Sequence, residues 1–278
     1  MKEWAKELKQ TTLLKWNGLF NFKQKIHLQI ESGSYILKTA DSFDELINSF
    51  RLRHEVFYNE FQSIEMDGID FDKFDTHFDH LIIIHKETKN VIGTYRVNCM
   101  ENSKLSYTET EFQLKNIFEM PGPHLELGRA CIHKDHRRGS VLSLLWRGIT
   151  EYMNESGATV LFGCSSLKVT ETEKAALVYK YLVETNSVAL DIESKPTRKF
   201  SMPDFNLWYA NFQQPLTDEQ IREAEKMIPP LLKSYLKHGA KIVGFPAIDR
   251  DFDCIDLLTV LKKEDMTNSL ARRFQVVQ

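Results

Sequence analysis

A carboxylate and a guanidinium stand three residues apart in one strand-like run, Glu126-Leu127-Gly128-Arg129. A basic turn follows, His133-Lys134-Asp135-His136-Arg137-Arg138-Gly139-Ser140, and then a helix. A strand feeding such a turn makes an anion site, because free backbone N–H groups and the helix dipole face the ligand there. Arg137 and Arg138 add charge suited to a phosphate or pyrophosphate. On a flat strand Glu126 and Gly128 share one face, and Leu127 and Arg129 the other. Glycine within a strand marks a bulge or a close ligand approach, and a bulge would bring Glu126 and Arg129 to one cleft. A surface β–α turn with solvated arginines fits the same residues, so both readings stay open on the residues alone.

Upstream lies an acidic run, Glu65, Asp67, Asp70, Asp72, Asp75 and Asp79. It is either a solvated charge run or a site for a cation. The EF-hand pattern is excluded, because Phe74 occupies a ligand position and the mid-loop glycine is missing. His77 and His80 read as structural, and His133, Asp135 and His136 fit the anion turn better than a metal cluster, so no metal is expected. Cys99, Cys131, Cys164 and Cys254 form no C-x-x-C or C-x-x-H pair and read as buried free thiols of a reducing compartment. No G-x-S-x-G elbow, P-loop or H-x-x-x-x-D acyltransferase motif occurs.

These residues resemble the GNAT acyltransferases, and more closely the branch of acyl-homoserine-lactone synthases and bacterial amino-acid N-acyltransferases. Arg53-His54-Glu55-Val56-Phe57 is similar to the R-x-x-V-F of the first helix. Asp72-Lys73-Phe74-Asp75 is similar to the D-x-Y/F-D loop. Gly93-Thr94-Tyr95-Arg96 and Glu126-Leu127-Gly128-Arg129 are similar to the G-x-x-R and E-x-x-R strands. Four short motifs in order are far more specific than one. Leu144 to Gly148, Phe162 to Ser165, Pro230 to Leu236 and Ile248 to Phe252 resemble the ornithine-lipid N-acyltransferases in particular, and the likeness runs from about Tyr35 to Leu261. The turn after Arg138 has one glycine where the usual GNAT motif has two or more. That departure points away from acetyl-CoA and towards a carrier-bound acyl chain.

The resemblance implies a long-chain acyl thioester as donor, often 3-hydroxyacyl, on acyl carrier protein or CoA, with no resident cofactor. It implies an amino-acid α-amine as acceptor, ornithine first. Amine attack on a thioester needs a carboxylate to take the amine proton, directly or through water, and N–H donors for the oxyanion. A cationic acceptor needs acids around it. On this footing Glu126 is the base. Arg129 orients Glu126 or holds the substrate carboxylate as a bidentate partner. Asp72, Asp75 and Asp79 hold the acceptor's ammonium groups, Arg53 and Arg96 organise the acidic loop, and Phe57 completes the acceptor site. Arg137, Arg138, Gly139 and Ser140 take the acyl donor. Pinning of a loop is the plain alternative for an Arg53–Asp75 pair. Two other functions compete: a signal synthase making a lactone from S-adenosylmethionine, and a non-catalytic acyl-carrier or lipid-binding module.

The elements that must position these groups read as an α/β fold, a GNAT-like mixed and mostly antiparallel sheet flanked by helices. Strands are expected at Ser34–Lys38, His80–His85, Asn90–Asn98, Glu126–His133, Ala158–Cys164, Lys241–Phe245 and Ile255–Leu261. Ser42 caps a helix reaching about Phe61, Gly157 ends a helix from Val141, and Glu173–Glu184 is a third. Thr217 caps a helix from Asp218 to His238 with a break at Pro229-Pro230. One acyltransferase domain over 34–264 is expected, with an insertion or lid at 186–217 and a polar tail over 265–278. Residues 1–25 carry six lysines against two glutamates among Trp4, Trp16 and several leucines. This amphipathic extension, 1–33, suits a peripheral membrane contact or packing on its own domain. A net charge of −3 gives no field for nucleic acid, and no run of apolar residues is long enough to span a bilayer. The expected location is the cytoplasm, at the inner face of the membrane.

Overall fold

The structure, a computed structural model, describes residues 18–62, 68–137 and 139–267, with Phe61 described by its backbone alone. Its strands are β1 Gln29–Ser32, β2 Tyr35–Thr39, β3 Asp79–His85, β4 Val91–Cys99, β5 His124–Ile132, β6 Val160–Leu167, β7 Val188–Ala189, β8 Lys241–Val243, β9 Ala247–Asp249 and β10 Cys254–Lys262. Its α-helices are α1 Phe43–His54, α2 Lys115–Phe118, α3 Gly139–Ser156, α4 Thr172–Glu184, α5 Phe205–Ala210, α6 Asp218–Met227 and α7 Pro230–Lys237. This is the mixed α/β class expected, sheet strands flanked by helices. The chain forms two compact units, Met1–Leu105 with Leu127–Ser156, and Ser106–Glu126 with Gly157–Gln278.

In the first unit β1, β2, β3 and β4 pair antiparallel in sequence order, and β5 from Leu127 onward lies beside β4. The β3–β4 hairpin closes at Lys89, whose φ of +60 marks the turn. Ile82 and Ile83, neighbours on β3, are both fully buried, so β3 is covered on both faces and reads as a continuous apolar run. Helix α1 starts where the sequence places its cap, with the Ser42 side chain accepting the Glu45 N–H at 3.3 Å. It buries Leu46, Ile47 and Phe50 against Ala40, Ile82, Val91 and Cys131. Beyond His54 the expected α-helix widens into a π-helix, Glu55–Phe61, in which Gln62 N–H reaches back to the Phe57 carbonyl at 3.3 Å. Such widened turns concentrate at functional sites.

Helix α3 buries the stripe Val141, Leu144, Leu145, Ile149, Tyr152 and Met153 that its sequence spacing predicts. Gly148 lets this helix approach β2: a Cβ there would lie 2.6 Å from Leu37 Cδ1, and Leu37 is fully buried. Gly157, at φ +69, ends the helix in the left-handed region, the conformation glycine adopts without strain.

In the second unit the first three residues of β5 run parallel to β6, His124 opposite Val160 through Glu126 opposite Phe162. Strand β10 pairs antiparallel with β6, β8 and β9, and β7 runs parallel to β8. Thr217 and Gln220 form a capping box on α6. The expected break at the two prolines separates α6 from α7, with Pro230 in the first turn where its missing N–H does no harm. The stretch 186–217 holds β7, a 3₁₀ turn at Arg198–Phe200 and α5. Tyr179 of α4, Phe205, Tyr209 and Phe245 meet there at ring-centroid distances of 5.4–5.9 Å.

Most of the amphipathic extension and the polar tail, residues 1–17 and 268–278, lie outside the described residues. Of the described remainder, Leu19 is buried in the core cluster with Phe22 packed on it, and Phe20 is exposed, stacked on Phe43 at 4.3 Å. Among the described residues no helix is long and apolar enough to cross a membrane.

Candidate active site

The motif residues of the first unit meet in a closed ring of alternating charge. Arg53, from the last turn of α1, donates Nε to Asp70 Oδ2 at 2.6 Å, Nη1 to Asp75 Oδ1 at 2.7 Å and Nη2 to Asp75 Oδ2 at 3.1 Å. Arg96 of β4 donates Nη1 to Asp75 Oδ1 at 3.0 Å and to Asp72 Oδ1 at 2.7 Å. Arg129 of β5 donates Nη2 to Asp72 Oδ2 at 3.2 Å and Nε to Asp70 Oδ2 at 3.1 Å. Each aspartate therefore bridges two arginines, and each arginine two aspartates. Backbone N–H groups of Asp72 and Phe74 bond Asp75 Oδ2 and Asp72 Oδ1 at 2.7 and 2.8 Å, folding the acidic loop onto the ring. The guanidinium carbons of Arg53 and Arg96 lie 4.9 Å from the Phe50 centroid and 5.5 Å from the Phe78 centroid.

Electrostatics follow from this closure. Burial pushes the carboxyls of Asp70 and Asp75 up, but the guanidinium of Arg53 outweighs it, helped by Arg129 at Asp70 and by Arg96 at Asp75. Both stay below the usual carboxylate range. Burial also opposes the charge on Arg53, and Asp75 and Asp70 more than restore it. Asp70 belongs to the acidic run yet stood outside the expected site. Its position two residues before Asp72 was the available signal.

Exposure within the ring is uneven. Side chains of Arg53, Asp70, Asp75 and Arg96 are 4% exposed or less, whereas Asp72 is 24% and Arg129 12% exposed. Arg129 also sits at φ +50, a conformation that costs a non-glycine residue about 1–2 kcal/mol. The strand irregularity expected from Gly128 thus appears one residue later, at Arg129 itself.

Asp79, expected beside Asp72 and Asp75, does other work. It is fully buried and accepts the Lys25 and Ile26 N–H groups at 3.0 Å and the Tyr152 hydroxyl at 2.9 Å. It ties residues 25–26 and α3 to β3, and direct contact with an acceptor does not fit its saturation and burial. The same holds for Asp75. Phe57, in the π-helix, packs half-buried against the core cluster.

His80 is buried, with Nε2 3.0 Å from the Asp75 carbonyl and Nδ1 without a hydrogen-bond partner. Burial lowers its pKa to about 4 from 6.5, against the pull of Asp75. The folded protein therefore holds His80 neutral while the unfolded chain takes a proton below 6.5, so stability falls as pH drops from 6.5 to about 4. The loss amounts to about 3 kcal/mol. His80→Gln is expected to abolish that contribution, read as the pH-dependent difference in urea-unfolding free energy between the two proteins. A constant difference over that pH range would contradict this account.

At the anion turn, Arg137 donates Nη2 to Glu60 Oε2 of the π-helix at 2.6 Å and Nε to the Ile132 carbonyl at 2.9 Å. Gly139 and Ser140 open α3 on the exposed side, and Arg138 lies outside the described residues. His136 Nδ1 is 3.1 Å from the Tyr35 hydroxyl, and the His133 side chain accepts the Asp135 N–H at 3.3 Å.

In the second unit Glu126 is 3% exposed and receives three donors: Thr108 N–H and Oγ1, both at 2.6 Å, and Tyr107 N–H at 3.2 Å. Sequence reasoning missed a second acidic group here, Glu111, Asp249 and Asp256, whose members are too far apart in the chain to announce themselves. Burial, then Asp256 and Asp249, push the Glu111 carboxyl up, and burial pushes that of Asp256 up. The four cysteines are free, three buried and Cys164 half-buried.

Comparison with known proteins covers the segment that carries these motifs. The Acetyltransferase (GNAT) domain matches residues 52–147, from α1 into α3. An L-ornithine N(alpha)-acyltransferase of Brucella abortus (strain 2308) is 27% identical over 254 residues, covering 85% of this chain and 87% of that protein. One of Rhodobacter capsulatus is 25% identical over 249 residues, covering 84% and 92%. Among solved structures, an N-acyl amino acid synthase from uncultured soil microbes superposes with a TM-score of 0.48 at 9% identity, covering 84% and 95%. The chain is a GNAT-fold acyltransferase, related in sequence to the L-ornithine N(alpha)-acyltransferases.

Proposed function

We propose that this enzyme moves a long-chain acyl group from a thioester, on acyl carrier protein or CoA, to the α-amine of L-ornithine, forming an amide and releasing the thiol. The observation that carries the reading is the exposure pattern of the charge ring. A free amino acid brings a carboxylate and ammonium groups, and the ring turns one guanidinium, Arg129, and one carboxylate, Asp72, towards solvent. Arg129 suits the α-carboxylate as a fork-shaped partner, and Asp72 suits an ammonium. Arg53, Arg96, Asp70 and Asp75 hold that pair in place from beneath, while Asp79 anchors the strand.

Glu126 takes the amine proton through water, since its carboxylate is buried and held by Thr108 and Tyr107. Arg137, Arg138, Gly139 and Ser140 take the donor's phosphate-bearing end. The amphipathic first 25 residues hold the enzyme at an anionic membrane surface, where its amphiphilic product would partition.

Mass spectrometry of lipid extracts from cells expressing the protein tests the reading. An ornithine-containing lyso-lipid, absent from cells with empty vector, is expected. No new amino-acid-containing lipid, or a diffusible lactone in its place, overturns it. Asp72→Asn should raise the KM for ornithine about 10–100-fold, the loss of one charge-assisted contact. Steady-state kinetics with purified protein check this, and an unchanged KM removes Asp72 from the acceptor site.

A further inference from the structure

The second unit gathers three carboxylates that the acyl-transfer reading does not use. Glu111 follows the 3₁₀ turn Thr108–Thr110, Asp249 ends β9, and Asp256 lies on β10. Each offers one oxygen, and these oxygens all lie within 4.8 Å of one another. The residues are 1%, 3% and 3% exposed. Among the described residues none of the three is ion-paired with a lysine, arginine or histidine. The ammonium of Lys199 is spent on Asp251 at 2.7 Å.

Neutral donors satisfy part of the group. Asp249 Oδ1 accepts the N–H groups of Asp251 and Phe252 at 2.8 and 3.1 Å. Asp256 accepts the Ser166 hydroxyl at 2.6 Å and the Cys254 thiol at 3.6 Å. Glu111 is the exception: its Oε2, wholly buried, has no hydrogen-bond partner. A buried carboxyl oxygen left without a partner is costly, and a cation that displaces the carboxyl proton is one remedy.

We infer that Glu111, Asp249 and Asp256 form a binding site for a hard divalent cation of calcium size. All three protein ligands are carboxylate oxygens, which suits hard cations rather than thiol- or imidazole-seeking metals. Calcium–oxygen distances of about 2.3–2.6 Å let one ion reach three oxygens mutually up to about 4.5 Å apart, whereas magnesium, at about 2.1 Å, reaches three about 3.6 Å apart. Ser166 is exposed while bonding Asp256, so the site lies one side chain from solvent. A bound ion would join β9 and β10 to the segment carrying Glu111, whose neighbour Thr108 donates twice to Glu126. The ion's role is to stiffen that segment, and it takes no part in the chemistry.

Thermal unfolding of the full chain, stripped with EDTA and then titrated with calcium, magnesium or manganese chloride, tests the site. Calcium should raise the midpoint by about 5 °C or more, and more than magnesium does. Glu111→Gln, which removes the ligating carboxylate but keeps the shape, should unfold no lower than the metal-free parent and lose the calcium shift. Asp256→Asn should lose it too. Isothermal titration calorimetry should show one calcium per chain in the parent and none in Glu111→Gln. No shift with any of the three cations in the parent, or an equal shift in Glu111→Gln, overturns the site. Neither result bears on the lipid product, so the two readings fail separately.

Discussion

Glu126→Gln is expected to lower acyl transfer about 10²–10⁴-fold, the range for loss of a general base. Part of any loss could come from structure, because Glu126 accepts both Thr108 donors on Oε1 and the Tyr107 N–H on Oε2. A glutamine turned to keep Thr108 presents its NH₂ to the Tyr107 N–H, at a cost of about 1–3 kcal/mol. Two controls separate the roles. Thr108→Val removes the hydroxyl donor alone and should keep most of the rate. Glu126→Ala should regain activity when formate supplies a carboxylate, which a group serving only to hold the turn would not allow. A glutamine variant with full single-turnover rate, or an alanine variant untouched by formate, would remove Glu126 from the chemistry.

The second large effect falls on stability. Asp75 Oδ1 accepts from Arg53 and Arg96, and Oδ2 from Arg53 and the Asp72 N–H. In Asp75→Asn, whichever way the amide turns, its NH₂ meets two donors. The variant also leaves two buried guanidiniums sharing one carboxylate fewer. Breaking one partner of a buried ionic network costs about 3–5 kcal/mol, a large fraction of a typical margin. Urea unfolding at neutral pH measures it. The deficit should be complete above the unfolded carboxyl value of 3.8, because the folded Asp75 stays ionised far below that. Its contribution fades only as pH falls through the folded value. A variant within about 1 kcal/mol of the parent would mean the ring is solvated in solution, and the surface-pair magnitude would then apply.

These effects depend on a ring whose members lie at 53, 70, 72, 75, 96 and 129. The motifs named five of them, all but Asp70, since short patterns keep their residue types wherever the fold puts them. They could not say that the group closes. Closure requires the last turn of α1, the acidic loop, β4 and β5 to converge, and hydrophobic burial around Phe50 and Ile82 sets that convergence. Nor could motif spacing separate Asp79 from Asp72 and Asp75. A one-dimensional run of acids looks uniform, whereas in space Asp79 turns to the Tyr152 hydroxyl and the Lys25 backbone.

Local rules were legible because they are short-ranged. The Ser42 and Thr217 caps, the Gly157 stop, the proline break before α7 and the apolar stripe of α3 each depend on neighbours within a few residues. The π-helix after His54 and the short strands β1, β7 and β9 depend on partners elsewhere in the chain, and no local pattern announced them. By itself the sequence determined the α/β class, the order of the motifs and the acyltransferase reading. Tertiary structure alone decided which charges neutralise one another, which two stay partly exposed, and that Glu111, Asp249 and Asp256 meet. Coulomb and desolvation energies depend on distance through space, and separation along the chain does not encode that.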